Sequence, residues 1–197
     1  MRITGGKLKG RRIDVPKGSL DIRPAMDSMR ESLFSILGDL EGLSFLDLFS
    51  GSGILALEAA SRGAHPIVCV EKDGDKFPLL LKNVSIAERR IECHSMPAER
   101  FLLRNKTAFS IVFLDPPFPY AYRRELLAKL GEGPTVKTGG LVLIHFPKED
   151  RLPDMTGGLE VEDERVYGRS IVRFYRRGAS AGEDAAKGGP GEGTDLQ

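Results

Sequence analysis

Residues Ser44 to Ala64 read SFLDLFSGSGILALEAASRGA. The apolar run Phe45 to Phe49, broken only by Asp47, predicts a short buried strand. The Ala/Leu/Glu-rich segment after Gly53 predicts a helix closed by Gly63. A strand that enters a helix through Gly51 and Gly53 carries no side chains at the turn. A ligand can therefore approach the backbone closely, and the helix amino end offers unpaired N–H groups. This is the geometry of a nucleotide-type site. Gly51, Gly53 and Ala56 also satisfy the G-x-G-x-x-A spacing of a dinucleotide fold, so the glycines alone leave a nicotinamide enzyme and a methyltransferase both open. Asp47 shifts the balance, because a carboxylate inside the strand just before the loop repels a pyrophosphate but suits a cofactor carrying an amino group and a sulfonium cation. Glu71 ends the next apolar run, Ile67 to Val70, about twenty residues after Gly51, where a carboxylate can accept both ribose hydroxyls of either cofactor.

Around this stretch the chain alternates strands and helices. The apolar positions Met26, Met29, Leu33, Ile36 and Leu37 recur at helical spacing, with Gly38 as a stop and Ser28 to Glu31 spaced as a capping box. After Glu71 come a helix over about Lys76 to Ala87, a strand near Ile91 to His94, a helix from Ala98 to Arg104 and a strand from Phe109 to Leu114. A helix from Tyr122 to Leu130, a strand from Leu141 to Phe146, and two closing strands near Leu159 to Tyr167 and Ser170 to Arg176 complete the pattern. The fold class is α/β, a doubly wound, mostly parallel sheet with an antiparallel edge. The opening MRITGGKLKGRRIDV alternates apolar and basic residues between glycines and predicts an appended β-hairpin over residues 1–22, with Ile3, Leu8, Ile13 and Val15 as core contacts. The tail, residues 178–197, has almost no large apolar residues and is expected to be disordered.

At 197 residues, with 41% hydrophobic and 29% charged residues, the chain is long enough for one sizeable core. Net charge is +1, yet it is uneven. Arg2, Lys7, Lys9, Arg11, Arg12, Lys17, Arg23 and Arg30 face only Asp14, Asp21 and Asp27 in the first thirty residues, an excess that attracts a polyanion. Cys69 and Cys93 stand in apolar surroundings without C-x-x-C spacing, which suggests buried, reduced thiols. No secretory signal or membrane-spanning run is present, so a cytoplasmic location is expected.

A second loop carries unusual chemistry, Asp115-Pro116-Pro117-Phe118. In open α/β sheets ligands bind beyond the carboxyl ends of the strands, so this loop and the glycine loop can face one cleft. The two prolines fix the backbone and remove two N–H donors. The Asp115 carboxylate and the Pro116 carbonyl then make two acceptors for the hydrogens of an NH2 group, and Phe118 offers a face for stacking a base. An exocyclic amine is a poor nucleophile because its lone pair is delocalised into the ring. Two acceptors let the nitrogen pyramidalise and aim that lone pair at an activated methyl carbon, a catalysis by positioning that needs neither a metal nor a covalent nucleophile. Methylation of a pyrimidine carbon through cysteine is disfavoured, because no Pro-Cys pair exists.

With LDLFSGSG, VCVEKD and FLDPPF, the chain resembles class I S-adenosylmethionine-dependent methyltransferases that methylate amines. MRITGGKLKGRRI, IRPAMDSMRESLFSIL and YGRSIVRFYRR narrow the resemblance to the RsmD family over about residues 1 to 177. That family methylates N2 of a guanine in small-subunit (16S) ribosomal RNA, the guanine at position 966. The resemblance implies a Rossmann-like seven-stranded sheet with one antiparallel strand over residues 23–177. It also implies that Asp47, Phe49, Ser50, Gly51 and Gly53 hold the methionine part of S-adenosylmethionine, and that Glu71 and Lys72 lie at its ribose. Arg23, Pro24 and Arg30 would then belong to a helix motif beside the pocket, and Asp115, Pro116, Pro117 and Phe118 would hold the target amine. Lys7, Lys9, Arg11 and Arg12 would contact RNA phosphates, with a monomer acting on the assembled 30S particle.

Two departures from the family pattern stand out. Met96 and Pro97 occupy the place of an acidic residue that meets the adenine amine, which shifts that contact to Ser95 or to backbone. His145 stands where relatives often carry Glu, and a lone His is more often structural than catalytic. Three rival readings differ in substrate or chemistry. A nicotinamide oxidoreductase predicts an acid/base pair after the fourth strand, a DNA adenine methyltransferase predicts a larger target-reading region, and a non-catalytic ribosome-binding protein makes Asp115 dispensable.

Overall fold

A computed structural model describes residues 1–15 and 23–179, with the side chains of residues 23–26 outside the description. Residues 16–22, the last of the expected hairpin extension, and nearly all of the expected disordered tail lie outside the described residues.

The elements in chain order are α1 (Arg23–Leu37), β1 (Phe45–Leu48), α2 (Ile54–Ser61), β2 (Ile67–Glu71), α3 (Phe77–Val84), β3 (Glu92–Ser95), α4 (Ala98–Arg104), β4 (Phe109–Leu114), α5 (Arg123–Glu132), β5 (Val136–Pro147), β6 (Met155–Thr156), β7 (Leu159–Tyr167) and β8 (Ser170–Arg177). They form one eight-stranded sheet in the order β3-β2-β1-β4-β5-β8-β7-β6. β1 to β5 are parallel, β8 runs against β5, and β7 runs against β8. β6 runs against β7, so β8 and β6 are the strands reversed relative to β1–β5, and β8 is interior because β7 and the two-residue β6 lie outside it. The sheet is thus mostly parallel with an antiparallel end, as expected, and the two-residue β6 adds an eighth strand to the seven expected.

Period-two alternation sorts the strand side chains onto two faces. Phe45, Ile67, Cys69, Ile111, Phe113 and Leu143 pack with Met29, Leu33 and Phe34 of α1, Leu57 of α2 and Leu80 of α3. Leu46, Leu48, Val70, Val112, Leu114 and Ile144 pack with Phe101 of α4 and with Leu126, Leu127 and Leu130 of α5. Both faces of the parallel region are covered, which is why its strands read as nearly continuous apolar runs.

α1 begins upstream of the expected capping box, because Pro24 sits in the first turn, where no N–H is required. Its buried stripe uses Phe34, whereas Ile36 is 45% exposed. Gly38 closes it as expected, with φ 70° and its N–H on the Phe34 carbonyl. The expected amino-terminal hairpin is a loop closed by the isolated bridge between Arg2 and Arg12. Ile3, Leu8 and Ile13 are buried in the same core as α1 and α2, so this segment is fastened to the sheet domain. Cys69 is buried as expected, but its register partner Cys93 is only half-buried; both are free thiols. Among the described residues no helix is long and apolar enough to cross a membrane.

Candidate active site

β1 continues to β2 on one side and lies against β4 on the other, so the chain's direction of winding reverses between β1 and β4. The carboxyl ends of two strands at such a reversal are where open α/β sheets bind their ligands. Leu48 pairs with Leu114, and the Asp115 N–H reaches the Leu48 carbonyl at 3.4 Å. Both loops singled out in the sequence therefore start side by side.

The glycine loop is built by backbone locking. Phe49 takes a left-handed φ of 73°, unusual for a residue with a side chain. The Ser50 hydroxyl donates to the Asp47 carbonyl at 2.8 Å and accepts the Val70 N–H at 3.1 Å, bolting the loop to β2. Gly51 and Gly53 have different reasons to be glycine. At Gly51, φ is 52° and an added Cβ would meet open space, which leaves its backbone approachable. At Gly53, φ is 79° and a Cβ would come within 2.7 Å of Leu80 Cδ1 and 2.9 Å of Val84 Cγ1. The packing of α3 demands that second glycine, a role the spacing argument did not separate from ligand approach.

Asp47 is fully buried, and neither of its carboxylate oxygens has a hydrogen-bond partner among the described residues. Burial, with smaller contributions from the charges of Asp115 and Glu71, pushes its carboxyl up to about 8. The Ser50 hydroxyl and the Ala56 N–H oppose this weakly, without well-formed hydrogen bonds to the carboxylate. A buried acid without donors is costly unless a cationic or donor group is brought to it.

Glu71, 6% exposed, accepts the Gly51 N–H and the Asp73 N–H, each at 2.8 Å. Its carboxylate therefore clamps the glycine loop to the end of β2 while keeping further lone pairs. Lys72 beside it is exposed. Ser95, at the end of β3, is exposed, and the Met96 N–H donates to the Glu71 carbonyl.

In the second loop the Asp115 carboxylate meets His145 Nδ1 on β5 at 2.8 Å, and a quarter of the Asp115 side chain is exposed. It does not cap a helix; Tyr122 holds that position for α5. Arg123, the first residue of α5, is 5% exposed and organises the loop. Its guanidinium donates to the carbonyls of Pro117 at 3.0 Å and Phe118 at 2.7 Å, to that of Tyr120, and to Asp150 at 2.8 Å. None of these bonds uses the Pro116 carbonyl. Sequence reasoning missed Arg123, although a cation in the first turn of a helix opposes the helix dipole and was a usable signal.

Aromatic rings border the crevice. Phe49 meets Tyr120 edge-on at 5.2 Å, Tyr120 meets Tyr122 at 5.8 Å, and Phe118 meets the His145 ring at 5.5 Å. The Tyr120 hydroxyl bonds Glu99 of α4, and burial together with that bond pushes its phenol up. Phe118 and Tyr122 are 49% and 59% exposed, leaving flat surfaces beside Asp115.

Arg30, expected beside the pocket, has its guanidinium taken up by protein partners. Its guanidinium is 3% exposed and donates to Glu58 at 3.0 Å, Asp27 at 2.9 Å and the Arg2 carbonyl at 2.9 Å. The completely buried Glu58 also takes the Thr4 N–H and Arg62, so Arg30 ties the amino-terminal segment to α1 and α2. The side chain of Arg23 lies outside the described residues. Lys7, Lys9, Arg11 and Arg12 are all exposed, whereas Ile3, Leu8 and Ile13 of the same segment are buried. A cavity of about 500 Å³ opens at the other end of the sheet, between Ile36, Leu43, Lys137 and Glu162, and contains none of the candidate residues.

A family model described as Conserved hypothetical protein 95 matches residues 1–176. The Escherichia coli K12 protein named Ribosomal RNA small subunit methyltransferase D is 33% identical over 190 residues, covering 94% of each chain. The chain belongs to the RsmD family. YlbH of Bacillus subtilis, assigned as an rRNA methyltransferase, is 31% identical over 90% of this chain and 99% of its own. Among solved structures, Escherichia coli yhhF, assigned as a methyltransferase, superposes with a TM-score of 0.82 at 32% identity, over 91% of this chain and 99% of that one. The RsmD-family sheet order and the adjacency of the glycine and D-P-P-F loops thus belong to one class I methyltransferase fold.

Proposed function

We propose that this protein transfers a methyl group from S-adenosylmethionine to the exocyclic N2 amine of a guanine in 16S ribosomal RNA, the family's guanine 966. The observation that carries the reading is that the donor-poor Asp47 and the open backbone at Gly51 lie one strand away from Asp115. S-adenosylmethionine supplies, when bound, a methyl group activated by a sulfonium and an ammonium that suits buried carboxylates.

This chain's residues do the rest. Asp47 and the loop Phe49, Ser50, Gly51, Gly53 receive the methionine part, with Glu71 and Lys72 at the ribose. The Asp115 carboxylate and the Pro116 carbonyl accept the two hydrogens of the guanine amine, and Phe118 stacks on the base. Pyramidalised in this way, the nitrogen presents its lone pair in line with the methyl carbon, and Asp115 accepts the proton that the methylated nitrogen sheds. Arg123 keeps the Pro117 and Phe118 carbonyls turned away from the base.

Residues 1–22 serve as a basic extension of the methyltransferase domain, 23–177, and Lys7, Lys9, Arg11 and Arg12 bind RNA phosphates without reading bases. A monomer acting in the cytoplasm on assembled 30S particles, where a loop base can be turned out, completes the reading. The test is methyl transfer to unmethylated small subunits followed by nucleoside mass spectrometry. N2-methylguanosine is expected; N6-methyladenosine, or no product with preferential binding of NAD, overturns the assignment.

A further inference from the structure

We infer that His145 is a positioning residue for methyl transfer, holding one oxygen of Asp115 so that the other is presented to the target amine. This rests on the reading above that Asp115 receives that amine.

A carboxylate at the end of a strand rotates about its terminal bond, and a rotating acceptor cannot keep an amine pyramidal. Here His145 Nδ1 lies 2.8 Å from Asp115 Oδ1. The ring itself is fixed. It is 2% exposed, its strand position pairs with Val172 of β8, and the Phe118 ring stands edge-on to it at 62°. An ionised carboxylate only accepts, so the shared hydrogen belongs to Nδ1. The other nitrogen points the same way. Nε2 is buried with no partner among the described residues, and a lone pair left there costs less than a buried N–H of a charged ring. The hydrogen shared with Asp115 therefore sits on Nδ1, and the partly exposed Asp115 side chain is left with Oδ2 for the target amine. The same histidine edge supports Phe118, so one buried ring sets both the acceptor and the stacking surface.

The direct test observes the wild-type protein. In uniformly 15N-labelled protein, the His145 ring should show the Nδ1–H tautomer in long-range proton–nitrogen spectra at neutral pH; an Nε2–H tautomer overturns the inference. Kinetics supply a second test. His145→Phe removes the donor and keeps a ring, and should lower kcat about 10–100-fold, the usual cost of losing a bond that orients a reacting group, with the S-adenosylmethionine Kd and the small-subunit KM within about twofold. His145→Asn restores an N–H at nearly the same reach and should recover most of that loss. Unchanged kcat in His145→Phe, or an Asn variant as impaired as the Phe variant, overturns the inference. An Asp115→Ala protein of full activity would instead remove the reading on which the inference rests, and it leaves the tautomer measurement untouched.

Discussion

A carboxylate buried without donors, as Asp47 is, makes folding and ligand binding pull in opposite directions. Its carboxyl titrates near 8 in the folded protein against 3.8 for the ordinary group. The native state thus holds a proton that the unfolded chain has lost, and stability falls as pH rises from about 4 to 8. Each unit is worth about 1.4 kcal/mol, so an effect on the order of 2–5 kcal/mol is expected. Asp47→Asn should melt at higher temperature than the wild type at pH 8, while S-adenosylmethionine affinity drops at least about 100-fold by calorimetry. Cofactor binding favours the ionised acid, so binding at pH 7 should release close to one proton, read from titrations in buffers of different ionisation enthalpy. No proton release would show that Asp47 does not meet the cofactor's positive charge. Residue types revealed this acid because it interrupts an apolar run. They did not reveal the pairing of His145 with Asp115, since the two are thirty positions apart and only the β4–β5 register joins them.

Among elements, the strand-to-helix turn at β1–α2 carries two glycines with separable functions. Gly53→Ala should cost about 2–4 kcal/mol in chemical denaturation, because it combines a disfavoured φ with a clash against Leu80 and Val84. Gly51→Ala should cost about 1 kcal/mol, from the disfavoured φ alone, and should mainly weaken cofactor binding. Equal destabilisation by the two would contradict this division. The fastening of the amino-terminal segment makes a similar prediction. Glu58→Gln leaves the buried Arg30 without its carboxylate and should destabilise the fold by about 3–5 kcal/mol, with limited proteolysis opening within residues 1–15 first. Most elements were legible from periodicity, and α4 and β4 have the expected bounds. The early start of α1 was hidden by a proline that helices tolerate in the first turn. The inward turn of Phe34 was hidden because Phe34 and Ile36 are both apolar, and only packing against Phe45 decides between them. Arg30 was expected at the pocket from the motif it belongs to; its partners Glu58 and Arg2 come from elements that no local pattern links to it.

The whole molecule combines a crevice of acids with a basic outer segment. Asp47, Glu71 and Asp115 converge near the glycine loop, while Lys7, Lys9, Arg11 and Arg12 project from a segment anchored to Ser61 at the far end of α2. Lys7 thus lies one eight-residue helix, about 12 Å, from the glycine loop, while the Asp14 end of the same segment bonds Asn83, whose amide donates to the Ser52 carbonyl in that loop. Asp47 and Glu71 are buried whereas the four bases are exposed, so a small cation and a long polyanion can bind at once without competing for charge. Replacing Lys9, Arg11 and Arg12 together by Gln should weaken small-subunit RNA binding and reduce the slope of log affinity against log salt by about 2–3, with S-adenosylmethionine affinity unchanged. An unaltered salt slope would remove this segment from the RNA interface.

In the proposed reaction Asp115 and the Pro116 carbonyl steer a guanine amine toward an activated methyl group where the β1 and β4 loops meet. Single-turnover methyl transfer by Asp115→Asn, at saturating S-adenosylmethionine and small subunits, tests it most directly. The prediction is a rate lowered about 100–1,000-fold with cofactor affinity preserved; a rate within threefold of the wild type would contradict it.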